Sequence, residues 1–210
     1  MTRRFAIIAA LSITALSGAA LAQADALTRN PVEVQAGSYV LDPAHGKITW
    51  SVDHMGFSTY VGQFTDVAAH LDLDVRNPAA SKLDASVRMD SVRTSHGELD
   101  KHLKTADFFD TAKFPSASFR ATNVRLVDRD TANITGNLTL RGVTRPIVIK
   151  ADFNQAGINP VDKQYTLGLD GEAKIKRSDF GINYGLPMLG DEVTLHLEAE
   201  FKLKSPKTGA

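Results

Sequence analysis

From Lys47 onward the chain alternates apolar with polar residues, and this period of two constrains the fold more than any other feature. Ile48, Trp50 and Val52 fall in one phase and Thr49, Ser51 and Asp53 in the other, the pattern of a strand with one buried face. The code recurs in Val67, Ala69, Leu71 and Leu73, and again in Leu83, Ala85, Val87 and Met89, each set interleaved with polar residues. Phe119 and Ala121 carry it on, followed by Ile134, Gly136, Leu138 and Leu140, then Ile147, Ile149, Ala151 and Phe153. It is most regular in Tyr165, Leu167, Leu169, Ala173 and Ile175 and in Val193 through Leu203.

About eight strands result. Short polar turns such as Val127-Asp128-Arg129-Asp130, Arg141-Gly142-Val143-Thr144 and Gly157-Ile158-Asn159-Pro160 make neighbouring strands antiparallel. Strands with one apolar face enclose a single apolar surface if the sheet closes on itself, which also removes its edges. The expected fold is all-β, an eight-stranded antiparallel up-and-down barrel, with a two-sheet sandwich as the alternative. One segment breaks the pattern. In Ser95 to Thr105, Leu99 and Leu103 stand four apart, which predicts a short helix with both leucines inward. Ser95 and Glu98 have the spacing of a capping box, and Phe108, Phe109 and Phe114-Pro115 follow. The excursion reads as a lid or plug at one barrel end.

The ends of the chain set the compartment. Met1-Thr2-Arg3-Arg4, an apolar stretch from Phe5 to about Leu16 and a close in Ala20-Leu21-Ala22 predict a signal peptide, too short to span a membrane. Cleavage after Ala22, with Ala24 as a second site, delivers the protein to the periplasm, and no Cys lies nearby to carry a lipid anchor. Residues 23–38 read as a loose leader, 39–204 as one domain and 205–210 as a tail. With no cysteine at all, stability must come from one packed core. Of 24 basic and 24 acidic residues, loss of Arg3 and Arg4 leaves 22 basic. A mildly acidic protein is a poor fit to nucleic acid, and stable membrane insertion is not expected.

An eight-stranded barrel has room for its own side chains or for one small ligand. The inward phase mixes Trp50, Phe153 and Phe201 with Ala69, Ala85, Gly136, Ala151, Ala173 and Ala199, which leaves space for an apolar tunnel suited to an alkyl or isoprenoid tail. At ~3.3 Å per residue and a ~40° tilt, the barrel stands roughly 25 Å tall. At ~0.3 kcal/mol per heavy atom, roughly 40 buried carbons could supply on the order of 12 kcal/mol without an ionic contact.

Four stretches in order resemble the YceI-like family. They are Asp42-Pro43-Ala44-His45 leading to His54-Met55-Gly56-Phe57 and Gly62-Gln63-Phe64; Asp100-Lys101-His102-Leu103 with Ala106-Asp107-Phe108-Phe109 and Phe114-Pro115; Gly136 through Thr144; and Arg177-Ser178-Asp179-Phe180-Gly181. Leu99 departs from the pattern, since the family often carries Arg there. The resemblance spans about Tyr39 to Lys204 and implies a lipocalin-like barrel that holds a polyisoprenoid or an isoprenoid quinone in a hydrophobic tunnel. It implies no catalytic constellation, no cofactor beyond the lipid, and it admits a homodimer.

The candidate ligand-contacting residues are Trp50, Val52, Leu71, Val87, Met89, Leu138, Ile149, Phe153, Leu169 and Ile175 on the strands, with His54, Leu99, Leu103, Phe108, Phe109 and Phe180 at the end. His54 shares the apolar phase and could meet a head group or hold a loop carbonyl. His70 and His196 fall in the polar phase and should be solvated, while His102 could approach His54 or His45. No metal is expected, since the six histidines show no ligand motif. There is neither a G-x-S-x-G elbow nor a cysteine nucleophile, so the chain is not read as an enzyme. Arg177 and Asp179 are expected to fix a turn. The alternative function is a plugged barrel acting through its surface, as an interaction or stress-related structural protein.

Overall fold

The computed structural model describes residues 27–207; the expected signal peptide and its cleavage sites lie outside them. Among the described residues the strands are β1 (Gly37–Leu41), β2 (Lys47–His54), β3 (Ser58–Phe64), β4 (Val67–Leu73), β5 (Lys82–Arg88), β6 (Val92–Arg93), β7 (Ser116–Leu126), β8 (Thr131–Leu140), β9 (Val143–Ile158), β10 (Tyr165–Lys176) and β11 (Leu189–Pro206), with one α-helix, α1 (Gly97–Leu103), between β6 and β7. All strands join one antiparallel sheet.

The sheet closes because β11 is long enough to serve two partners. Its first part pairs with β2, from Leu189 opposite His54 to Glu198 opposite Lys47, and its second with β1, from Phe201 opposite Leu41 to Pro206 opposite Gly37. β1 and β2 are therefore one stave bent at 42–46. β3 and β4 form the next stave, pairing with β2 and β1, and β5 and β6 the one after. With β7 to β11, the 11 strands make eight staves, each beside its neighbours in sequence: an up-and-down barrel. Register shifts at Ser38/Tyr39, Ala121/Asn123 and Gly168/Leu169 supply the local bends that closure requires.

The ends differ from the sequence expectation in instructive ways. The barrel is wider than 39–204, since β1 begins at Gly37 and β11 reaches Pro206. The described part of the leader is not loose: Val34 is buried and Thr28 bridges Ala156. The β8–β9 turn is only Arg141-Gly142, both at positive φ, the two-residue hairpin geometry that matches strand twist. α1 begins after His96, whose Nδ1 accepts the Leu99 N–H at 3.2 Å. Ser95 caps nothing, because Asp100 instead accepts the Thr94 N–H and hydroxyl, each at 2.7 Å, and turns the chain one residue later. Among the described residues no helix is long and apolar enough to cross a membrane.

Candidate ligand-binding site

Packing divides the barrel into a solid floor and a hollow above it. The floor is built by Val34, Tyr39, Leu41, Val67, Leu71, Tyr165, Leu167 and Phe201, all buried. Tyr39 donates its hydroxyl to the Gln35 carbonyl and the Tyr165 oxygen accepts the Gln35 N–H, which pins the entering chain across that end. Above the floor the barrel holds two apolar chambers. The lower, of about 130 Å³, is walled by residues that include Ala69, Leu83, Ala85, Phe119, Ile134, Ile149, Leu169 and Ala173. The upper, of about 230 Å³, is walled by Trp50, Val52, Tyr60, Phe64, Met89, Ile175, Val193 and others. Ile48, Val87, Ala117, Leu138 and Leu195 line both, so the chambers meet end to end at a waist.

The hollow also shows in the strands themselves. Interiors normally pack to crystal density, yet Ile48, Val52, Ala85, Val87, Leu138 and Leu195 are only half-buried although they face inward. Their remaining area borders the chambers. Trp50 reaches into the upper chamber because its strand partner is Gly62: a Cβ on Gly62 would collide with the indole. The indole stacks on Tyr60 with centroids 6.3 Å apart. Its Nε1 is buried with no hydrogen-bond partner among the described residues.

Two loops close the upper end. The lid, 94–115, lowers Leu99, Leu103, Phe108 and Phe109 onto the chamber, with Phe109 edge-on to Phe64 at 5.4 Å. The mouth loop between β10 and β11 is organised by Arg177, which is 6% exposed. Its guanidinium donates to the carbonyls of Gly190 (2.7 Å), Ile182 (2.9 Å), Tyr184 (2.8 Å) and Leu189 (3.0 Å). Desolvation lowers its pKa. The acidic partner of this turn is Asp191 rather than Asp179: Asp191 accepts the Ser178 N–H at 2.9 Å and the Ser178 hydroxyl at 2.7 Å. Burial alone would raise the Asp191 pKa, but these bonds and Arg177 hold it below the usual value. Arg141 ties lid to mouth loop, donating to the carbonyls of Ala106 (2.6 Å) and Gly181 (2.7 Å).

Of the residues expected to meet a ligand, Trp50, Val52, His54, Met89, Leu99, Leu103, Phe108, Phe109 and Ile175 border the upper chamber, Ile149 and Leu169 the lower, and Val87 and Leu138 both. Three do not. Leu71 and Phe153 pack in or against the floor, and Phe180, 1% exposed, fills core behind the mouth loop. Strand phase identifies the face of a residue but not its height in the barrel. Several lining residues went unexpected. Ile48, Val193 and Leu195 lay in the apolar phase all along, whereas Tyr60 and Phe64 sit on β3, where outward Val61, 50% exposed, and inward Gly62 erase the alternation.

The histidines divide as their positions dictate. His70 and His196 are exposed, and His102 bonds Asp107 at 2.8 Å rather than approaching His54 or His45. The ring of His54 borders the upper chamber, packs on Tyr60 at 6.1 Å, and makes no hydrogen bond with any described residue. It therefore holds no loop carbonyl. On the outer wall Asp42, His45 and Glu200 bring three ligand-type atoms within 4.8 Å of one another. His45 Nδ1 meets Asp42 at 3.0 Å, which raises the imidazole pKa, with Glu200 adding to it. Lys202 already supplies a cation here, 3.8 Å from Asp42, 4.0 Å from Glu200 and 2.7 Å from Asp162.

The YceI-like domain model matches residues 39–201. A UPF0312 protein of Azotobacter vinelandii is 39% identical over 170 residues, covering 80% of this chain and 88% of that protein. Among solved structures, the YceI protein of Campylobacter jejuni is 31% identical and superposes with a TM-score of 0.64, covering 73% of this chain and 90% of that one. A polyisoprenoid-binding domain from Saccharophagus degradans, 12% identical, shares the fold with a TM-score of 0.62 over 81% of this chain and 100% of that domain.

Proposed function

The chain belongs to the YceI-like domain family, and from that premise we propose that it binds one apolar lipid chain, of the polyisoprenoid or isoprenoid quinone class, inside its barrel, carries or sequesters it in the periplasm, and catalyses nothing. The observation that carries this reading is the pair of joined apolar chambers, closed below by a packed floor and above by a lid. A solved polyisoprenoid-binding domain that shares the fold supports it. The tail would run through the waist into the lower chamber, with its other end under the lid.

Size refines the ligand. The chambers together stand at the low end of the ~300–1,000 Å³ usual for ligand pockets, so a chain of roughly 40 carbons would have to widen the waist or protrude past the lid. A shorter prenyl chain suits the space as it stands. The test is a titration of solvent-delipidated protein with geranylgeraniol, followed by the emission of Trp50, the single tryptophan. Saturable binding of one molecule per chain, unchanged by a chelator because the lining offers no metal cluster, is the expected result. Absence of saturable binding would sink the proposal.

A further inference from the structure

The upper chamber holds unspent hydrogen-bonding capacity of one particular kind. His54 and Tyr60 both border it, their rings 6.1 Å apart on neighbouring strands. They stand two residues from register partners, His54 opposite Ser58 and Tyr60 opposite Val52, with both side chains in the inward phase. Among the described residues neither the His54 ring nor the Tyr60 hydroxyl makes a hydrogen bond, although each can donate or accept one. Two further polar side chains reach this wall: the Trp50 Nε1 is buried without a partner among the described residues and can only donate, and Arg177 is differently placed. Its charge is spent on four backbone carbonyls, and among the described residues no lysine or other arginine lines the chamber.

From this contrast we infer that the ligand carries an uncharged hydrogen-bonding oxygen, a hydroxyl or carbonyl, at the end of its chain, and that His54 and Tyr60 read it. The inference rests on the tunnel function proposed above and names the head-group class it selects. A hydroxyl both donates and accepts, as do the two side chains, so the exchange of water for protein leaves its bonds made. A phosphorylated head brings charge into a chamber with no free cation, and a buried charge without a partner is disfavoured far more than a neutral group. A bare hydrocarbon would fill the same space but leave the His54 and Tyr60 groups unpaired behind it.

Three probes separate these cases: geranylgeraniol, geranylgeranyl diphosphate and the corresponding hydrocarbon, each titrated into delipidated protein with Trp50 emission as the readout. The expected order is the alcohol first, the hydrocarbon about 10-fold weaker, the ratio that one or two neutral hydrogen bonds produce, and the diphosphate weaker still because its charge finds no free cation. In the His54→Phe, Tyr60→Phe double variant, which keeps both rings, the preference for the alcohol over the hydrocarbon should disappear while hydrocarbon affinity stays within about 2-fold. Equal binding of alcohol and hydrocarbon by the wild-type protein, or a preference for the diphosphate, overturns the inference while leaving the tunnel intact. Failure of all three probes to bind overturns the tunnel reading, and this one with it.

Discussion

The Ala85→Trp variant should fold and yet fail to take up lipid. Ala85 lies on β5 between Ala69 of β4 and Phe119 of β7, is only half-buried, and borders the lower chamber. An indole placed there occupies the space where a lipid tail would end. In a solid core the same change forces neighbours out of their rotamers and costs about 1–3 kcal/mol. In a hollow barrel the added ring enters a void, gains apolar contact and leaves the strand pairing unaltered. Geranylgeraniol affinity should fall by at least about 10-fold, the equivalent of ~1.4 kcal/mol, while the thermal midpoint stays within a few degrees of wild type. A variant that loses stability while still binding lipid would place the void elsewhere.

Arg177→Met should have the opposite signature, a large loss of stability. The methionine can fill part of the volume but leaves four carbonyls, those of Ile182, Tyr184, Leu189 and Gly190, without their donor. Buried acceptors stripped of a charged donor cost about 1.5–3 kcal/mol for the first and less for those that can turn to water, so a destabilisation of about 3–5 kcal/mol is expected. For a domain of this size that lowers the midpoint by on the order of 10 °C. Hydrogen exchange should rise first in the mouth loop and around Ser178 and Asp191, and then in Ala106, which reaches that loop through Arg141. A midpoint shift below about 2 °C would show that the loop holds its shape without the guanidinium.

The contrast between these two sites explains what could be read from the residues alone. Alternation identified the inward face of most staves, because a sheet with water on one side and an apolar interior on the other has no alternative way to sort its side chains. It failed at β3, where Gly62 is inward to make room for Trp50 and Val61 is outward, so that a packing requirement between strands overwrote the pattern within one. It was silent on height, and hence placed Leu71 and Phe153 along the tunnel when Leu71 is part of the floor and Phe153 packs against it. The lid was legible from Leu99 and Leu103, four apart, but its cap depended on which side chain accepted the Leu99 N–H, and His96 was not among the usual capping residues. Arg141 and Asp191 act between loops far apart in sequence, so no local spacing announces them.

The central claim is that the hollow is a lipid site, and native mass spectrometry of the protein purified from the cells that make it tests this most directly. The expected result is a species heavier than the polypeptide itself by the mass of one apolar molecule, which organic extraction removes and which recurs as an uncharged oxygen-bearing lipid in the extract. A species with the mass of the bare chain alone, from protein that also leaves added geranylgeraniol unbound, would contradict it.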